Sequence, residues 1–323
     1  MCTCNGARFI EEQIDSIFAQ TFPVTELIVH DDASDDDTVE RVHAVWTRWQ
    51  ERQSHQQMPV LRVVVHEVRL GVAQNFTGAL NDCTGEWIVM CDQDDRWQPE
   101  RIASLVAHLA KQPTTLLLHG NAYLIDGEGR PLGQTLFEAL AVSKEELSAI
   151  RNGRAFGVLM NRNLVTGAAT ILHRSLWAVA RPIPDHWLHD EWIGMVAAVQ
   201  SVIDLEIRAL LDYRQHGGNQ IGVQKPRLDE EFLRAFEARG DWHLVKLFRA
   251  RGLQQRLPSL IDEPPAALVD AIDAKVAHHL ARVCYPRNRA IRWLPALREW
   301  STGRYGLFGR GVRGLVKDLF EAR

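Results

Sequence analysis

A chain of 323 residues, 46% apolar and 24% charged with a formal net charge of −4, has ordinary globular composition and room for one large domain or two smaller ones. No apolar run reaches the roughly 18 residues that a membrane-spanning helix needs, and no basic region followed by an apolar stretch opens the chain, so the expectation is a soluble, cytoplasmic protein. Cys2, Cys4, Cys83, Cys91 and Cys284 contain no C-x-x-C pair, which speaks against a disulfide framework or a structural zinc site; Cys2 and Cys4 read as small strand residues.

Through the first two thirds, short β-rich runs alternate with helical patterns, the form of βαβ units around a mostly parallel α/β sheet. The first strand looks cut short, because only Met1-Cys2-Thr3-Cys4 precedes the helical pattern of Ala7–Gln20. Strand Glu26–His30 leads to helix Thr38–Arg52, strand Val60–His66 to helix Gly71–Cys83, and strand Glu86–Cys91 to helix Pro99–Lys111, with Pro99 at the favoured first turn. Strand Thr115–His119, a turn at Asp126-Gly127-Glu128-Gly129 and strand Ser201–Leu211 follow.

After about Lys225 the pattern is helical throughout, broken by Pro258, Pro264-Pro265, Pro286 and Pro295, which divides the chain into 1–225 and 226–323. From Arg282 to Arg323 ten Arg and Lys stand against three acids, with Trp293, Leu294, Leu297, Trp300, Leu307, Phe308, Leu315 and Phe320 interleaved. Two readings are open. The helices pack on the main domain with a solvated basic face, or they form a tail that lies peripherally on an anionic membrane surface.

Ligands of parallel sheets bind outside the carboxyl ends of the strands, and two acidic clusters fall there. In His30-Asp31-Asp32-Ala33-Ser34-Asp35-Asp36-Asp37, residues Ser34 to Asp37 are accounted for as caps of the helix at Thr38. Asp31 and Asp32 are left without a structural role and are placed to accept hydrogen bonds from a base or ribose. In Asp92-Gln93-Asp94-Asp95, Asp95 suits a cap for the helix near Pro99, but capping cannot explain three acids. Asp92-x-Asp94, a D-x-D (DXD) pattern, fits a hard divalent cation whose remaining ligands are substrate phosphates.

Taken in order, Thr3-Cys4-Asn5-Gly6, Leu27-Ile28-Val29-His30-Asp31-Asp32-Ala33-Ser34, Gly71 to Asn75, and Gly85-Glu86-Trp87 through Asp92-Gln93-Asp94-Asp95-Arg96-Trp97-Gln98-Pro99 resemble the catalytic domain of family 2 glycosyltransferases, which have the GT-A fold. Leu164-Val165-Thr166-Gly167 resembles the acceptor-side segment, His189-Asp190-Glu191-Trp192 the helix start that bears the base, and Tyr213-Arg214-Gln215-His216-Gly217-Gly218-Asn219 the closing loop. The resemblance spans residues 3 to 222 and is greatest to rhamnosyltransferase-like members that build bacterial surface polysaccharides. It departs at Cys4, where members often carry an aromatic residue.

The resemblance implies an inverting hexosyltransferase that takes a nucleotide-diphosphate sugar, with dTDP-rhamnose as one candidate, and a glycan or lipid-linked acceptor; no nucleic acid partner is expected. It implies that Asp31, Asp32, Asn75 and Asp92 bind the donor and that Asp92, Asp94 and His216 hold Mg2+ or Mn2+. Arg214 pairs either with phosphate or with an acid of the chain. Inversion needs a base opposite the leaving group. Asp190 is assigned by its place, with Glu191 as the alternative; the bland reading is that both merely favour a helix N-terminus. Gly309-Arg310-Gly311-Val312-Arg313-Gly314 has dinucleotide-binding form but follows no strand, so a dehydrogenase is rejected. The remaining rival is a non-catalytic GT-A-like module that binds sugar nucleotide or organises an assembly.

Overall fold

The computed structural model describes residues 1–52, 58–217, 242–309 and 311–321; Gly218, Asn219, the boundary near 225, Arg310 and Arg323 lie outside the described residues. The chain divides into two compact units. One comprises Met1–Ala155, Leu164–Ile183 and Leu188 through the described residues to 217; the other comprises Phe156–Asn163, Pro184–Trp187 and the described residues from Trp242 onward.

In the first unit the chain runs β1 (Cys2–Thr3), α1 (Ile10–Phe18), β2 (Glu26–Asp31), α2 (Thr38–Arg52), β3 (Val60–Val65), α3 (Val72–Asp82), β4 (Trp87–Val89), β5 (Arg96–Trp97), α4 (Arg101–Leu109), β6 (Leu117–Ile125) and β7 (Pro131–Thr135). Short helices α5 (Leu136–Ala139) and α6 (Lys144–Arg151) precede β8 (Thr170–His173), α8 (Arg174–Ala180), α9 (His189–Val199) and β9 (Ile203–Arg214), while α7 (Ala155–Asn161), between α6 and β8, belongs but for Ala155 to the second unit.

Strands β1, β2 and β3 form a parallel sheet in which Cys2 faces His30 and Thr3 faces Asp31. The second sheet has the order β4-β8-β6-β9-β5, with β7 on β6. Cys2 N donates to Cys91 O at 3.2 Å, so β1 meets the end of β4 at the seam. The expected parallel order holds in the first sheet. The second is mixed, with only β6–β9 parallel and β4–β8, β6–β8, β5–β9 and β6–β7 antiparallel. The turn at Asp126 to Gly129 explains one of these pairs: Gly129 takes φ +81°, Asp126 Oδ1 accepts from Glu128 N and Arg130 N, and a tight turn returns the chain antiparallel.

The core follows the periodicities. Ile10, Ile14 and Ile17 of α1, Val42 and Val45 of α2, and Leu27 and Val29 of β2 are buried together, whereas β3 lies at an edge with Val60 and Val65 exposed.

The second unit contains α10 (Trp242–Leu260), α11 (Ala266–Val283), α12 (Arg289–Ser301), α13 (Arg304–Phe308) and α14 (Val312–Phe320). Pro264-Pro265 and Pro286 lie between helices, but Pro258 and Pro295 lie inside α10 and α12. One lost backbone hydrogen bond is outweighed there by packing of neighbours such as Leu257 and Ala296, both buried. Lys275 Nζ donates to Met160 O at 2.6 Å and Trp187 Nε1 to Arg249 O at 3.1 Å, which ties the two short inserts to these helices. Among the described residues, no helix is long and apolar enough to cross a membrane.

Candidate active site

The acids gather where β1, β2 and β4 end. Asp31, fully buried, accepts from Thr3 Oγ1 at 2.7 Å, Ser34 N at 2.8 Å and Ser34 Oγ at 2.6 Å. Asp32 accepts from Leu70 N at 2.6 Å and Gly71 N at 2.9 Å, which fixes the entry to α3. Both therefore have the structural role that the sequence did not reveal. Asn75 Nδ2 donates to His30 O at 3.0 Å, and its buried Oδ1 has no hydrogen-bond partner among the described residues. Of the four residues expected to cap α2, Asp36 does so, with Oδ1 on Thr38 N at 3.0 Å.

The segment after β1 docks on this loop through contacts that the sequence did not reveal. Asn5 N donates to Ser34 Oγ, Gly6 N to Thr38 Oγ1, and Gln93 clamps Cys4 by accepting from its N at 2.8 Å and donating to its O at 3.1 Å. A Cβ at Gly6 would stand 2.2 Å from Gln93 Oε1, so a side chain there would push the Gln93 amide away from Cys4. The Asn5-Gly6 pair was the visible signal; its partners Ser34, Thr38 and Gln93 were not.

After β4 the chain buries Met90 and Cys91 and then presents Asp92, Asp94 and Asp95. Burial, and then the charges of Asp94 and Asp190, push the Asp92 carboxyl up to about 7. Asp94 Oδ2 lies 2.7 Å from His216 Nε2, and the His216 ring rests 4.8 Å from the Phe9 ring. Asp95 does not cap α4. Its Oδ1 accepts from Arg214 N at 3.0 Å at the end of β9, and burial followed by the charges of Asp94 and Asp92 holds it well above the usual carboxylate range.

Arg214 is buried. Its guanidinium donates to Asp94 O at 2.6 Å, Glu12 Oε2 at 2.6 Å and Asp126 O at 3.3 Å, and it lies 4.9 Å from the Phe9 ring. Of the partners that the sequence left open, the structure shows the acid, Glu12.

Asp190 stands in the first turn of α9. Its Oδ2 accepts from Gly167 N at 3.0 Å and its Oδ1 from Glu191 N at 2.7 Å. Beneath it, His189 stacks on Phe76 with centroids 3.8 Å apart, and burial lowers that imidazole to about 3. A Cβ on Gly167 would lie 2.8 Å from His189 Nε2. The Tyr213 hydroxyl, raised first by burial, feels Asp92, Asp95, Asp94 and Asp190, so these four carboxylates share one neighbourhood. Asp31, Asp32 and Asn75 belong to the adjoining β2 end, linked to it through the Gln93 clamp on Cys4.

Unrelieved like charge at Asp92 and hard oxygen donors beside one imidazole suit Mg2+ or Mn2+. Among the described residues, ligand atoms of three such groups approach closely only at His243, Asp318 and Glu321, and there Arg282 and Tyr305 already engage both Asp318 oxygens. Asp92, Asp94 and His216 are not such a group: Asp94 and His216 are in contact at 2.7 Å, but the ligand atoms of all three do not come together.

The model of the family described as glycosyl transferase family 2 matches residues 1–170, more than half the chain. The chain belongs to this family. This family 2 protein is 31% identical over 119 residues to the uncharacterized protein Rv1520 of Mycobacterium tuberculosis, a stretch covering 36% of this chain and 32% of that one. Over 128 residues it is 26% identical to WcaA of Escherichia coli K12, whose name assigns it provisionally to colanic acid biosynthesis as a glycosyl transferase; there 40% of this chain and 43% of the other are covered. The match thus spans about a third to two fifths of the length of these curated relatives. Among solved structures, Staphylococcus aureus TarS 1-349 in complex with UDP has a TM-score of 0.54 at 16% identity, covering 98% of this chain and 86% of that chain. The fold is GT-A.

Proposed function

We propose that this family 2 protein is an inverting glycosyltransferase that moves a sugar from a nucleotide-diphosphate sugar to a hydroxyl of a glycan or lipid-linked acceptor, at the cytoplasmic face of a membrane and in surface polysaccharide synthesis. The observation that carries the reading is that the charges of Asp94 and Asp190 both act on Asp92: a hydrogen-bonded carboxylate on a helix start shares a neighbourhood with the pair suited to a cation and diphosphate. The donor is a pyrimidine nucleoside diphosphate sugar. Resemblance to rhamnosyltransferases favours dTDP-rhamnose, and the similar TarS was crystallised with UDP.

Asp31, Asp32 and Asn75 shape the wall that receives base and ribose, with the loops at 33–35 and 70–71 held by the two carboxylates. Arg214 acts by fixing Asp94 and Asp95 from behind. Held by Asp92, Asp94 and His216, Mg2+ or Mn2+ would neutralise charge on the departing diphosphate. Asp190, aimed by the Gly167 and Glu191 amides, takes the proton of the acceptor hydroxyl as that oxygen bonds the anomeric carbon and the bond to the diphosphate breaks. The charge of Asp190 acts on Asp92, which supports Asp190 as base.

Asp190→Asn is expected to abolish sugar transfer while donor binding persists, read by turnover assay beside calorimetric titration of the nucleotide sugar. Near-normal turnover overturns the assignment. Absence of nucleotide-sugar hydrolysis by the wild-type protein without acceptor, with Mn2+ present, would instead favour a binding scaffold.

A further inference from the structure

Helices α12 and α14 are inside out. In α12 the residues turned inward include Arg292 at 0% and Glu299 at 4% exposure, while Ile291 at 60%, Leu294 at 59% and Leu297 at 47% face outward with Trp293 and Trp300. In α14 Asp318 is fully buried, while Val312, Val316 and Phe320, at i, i+4 and i+8, form an exposed stripe. Trp293 meets Phe320 edge-on with centroids 6.2 Å apart, so the two stripes join. A surface helix ordinarily turns its apolar stripe to the core, and a joined exposed patch of this kind marks an interaction site. Not every apolar residue in this region points outward: Phe308 is buried and Leu315 packs with Tyr285, Ala296 and Leu319.

The charges identify the occupant. From 286 to 321 the acids are Glu299, Asp318 and Glu321, and all three are buried. Glu299 accepts from Arg304 and pairs with His278, Asp318 accepts both arms of Arg282, and Glu321 pairs with His243. Arg287, Arg289, Arg298 and Arg313 are exposed, so among the described residues of this stretch every exposed charge is positive. Two exposed tryptophans beside leucines, rimmed only by cations, match the depth profile of an anionic lipid surface: aromatic rings at the headgroup level, aliphatic side chains below, and cations on phosphate. A second copy of the same surface would bring like charge against like charge.

We propose that the outward faces of α12 and α14 dock on the surface of an anionic lipid bilayer. The inference stands on this surface alone and does not need the transferase reading. The whole chain is sedimented with vesicles of phosphatidylcholine and with vesicles of an equal mixture of phosphatidylcholine and phosphatidylglycerol, and tryptophan emission is recorded in parallel. Binding to the mixed vesicles with blue-shifted emission is expected. Leu294→Glu with Leu297→Glu should weaken it roughly tenfold or more, and Arg298→Gln and Arg313→Gln roughly fivefold each at low salt. These side chains are exposed, and an unchanged thermal midpoint confirms that each variant folds. Failure to bind mixed vesicles overturns the proposal, as does equal binding by the double Leu variant. Concentration-dependent dimers that the double Leu variant abolishes, without vesicle binding, would assign the face to a second copy and also overturn it.

Discussion

The two units each bury a group of acids, and they treat the cost differently. In the helical unit burial would raise Glu299, but hydrogen bonds from His278 and Arg304 outweigh it and the carboxyl ends below its ordinary value. Asp318 is bound bidentately by Arg282, with nitrogen to oxygen distances of 2.6 and 2.7 Å, and accepts from Tyr305. In the α/β unit burial and mutual repulsion both act upward on Asp92 and Asp95, and Asp95 Oδ2 has no hydrogen-bond partner among the described residues. A charge cluster completed by the chain holds helices together. A cluster that the chain leaves uncompensated carries a cost that a bound cation would offset.

The largest effect expected from this contrast lies in the helical unit. Asp318→Ala removes the bidentate acceptor of the buried Arg282 and strips an acceptor from Tyr305, a loss of about 3–5 kcal/mol that urea unfolding would measure. A change below about 1 kcal/mol, the range of exposed pairs, would show that the network does not hold these helices and would remove one side of the comparison.

Asp190 stands between the two cases, since two backbone amides donate to it. Gly167→Ala places a Cβ 2.8 Å from His189 Nε2 and 3.5 Å from Asp190 Cβ. The expected cost is about 1–3 kcal/mol of stability from overpacking, with sugar transfer falling more than donor binding because the carboxylate is displaced. Unchanged turnover would show that the Gly167 contact does not aim Asp190.

How much of this was legible before the structure depends on how local the cause is. Helix α2 was expected at Thr38–Arg52 and lies there, because an acid at its start and a 3.6-residue apolar period are both sequence-local. Strand β6 runs to Ile125 rather than His119, because polar Asn121 finds Ile207 O for its Nδ2 and Phe137 N as a second donor to its Oδ1 beside the local Ala122 N, and the first two belong to distant segments. Asp31 and Asp32 failed in the same way. Spacing exposed them as acids at a strand end, but Leu70 and Gly71, which occupy Asp32, are close only after folding. The exposed apolar stripe of α12 was visible as composition. Its direction was not, because helical periodicity separates two faces without saying which is inside, and only the buried Arg292 and Glu299 decide it.

The smallest effect is also the sharpest test of the incomplete cluster. An unfolded aspartate titrates near 3.9, and Asp95 in the fold lies well above that value. Between the two values the folded chain holds a proton that the unfolded chain has released, so this residue makes stability fall as pH rises through the window. Asp95→Asn removes the titration, while a side-chain carbonyl can still accept from Arg214 N. The variant and wild type should therefore be nearly equal in stability near pH 4 and diverge as pH rises, with the variant ahead by roughly 1 kcal/mol by pH 7 once water entry and relaxation are allowed for. Asp92, which titrates in both proteins, largely cancels from the difference. Thermal midpoints of the pair across this range give the answer: a gap that stays constant, or that favours wild type at neutral pH, would mean that the charge at Asp95 is already compensated and that the two units do not differ as argued.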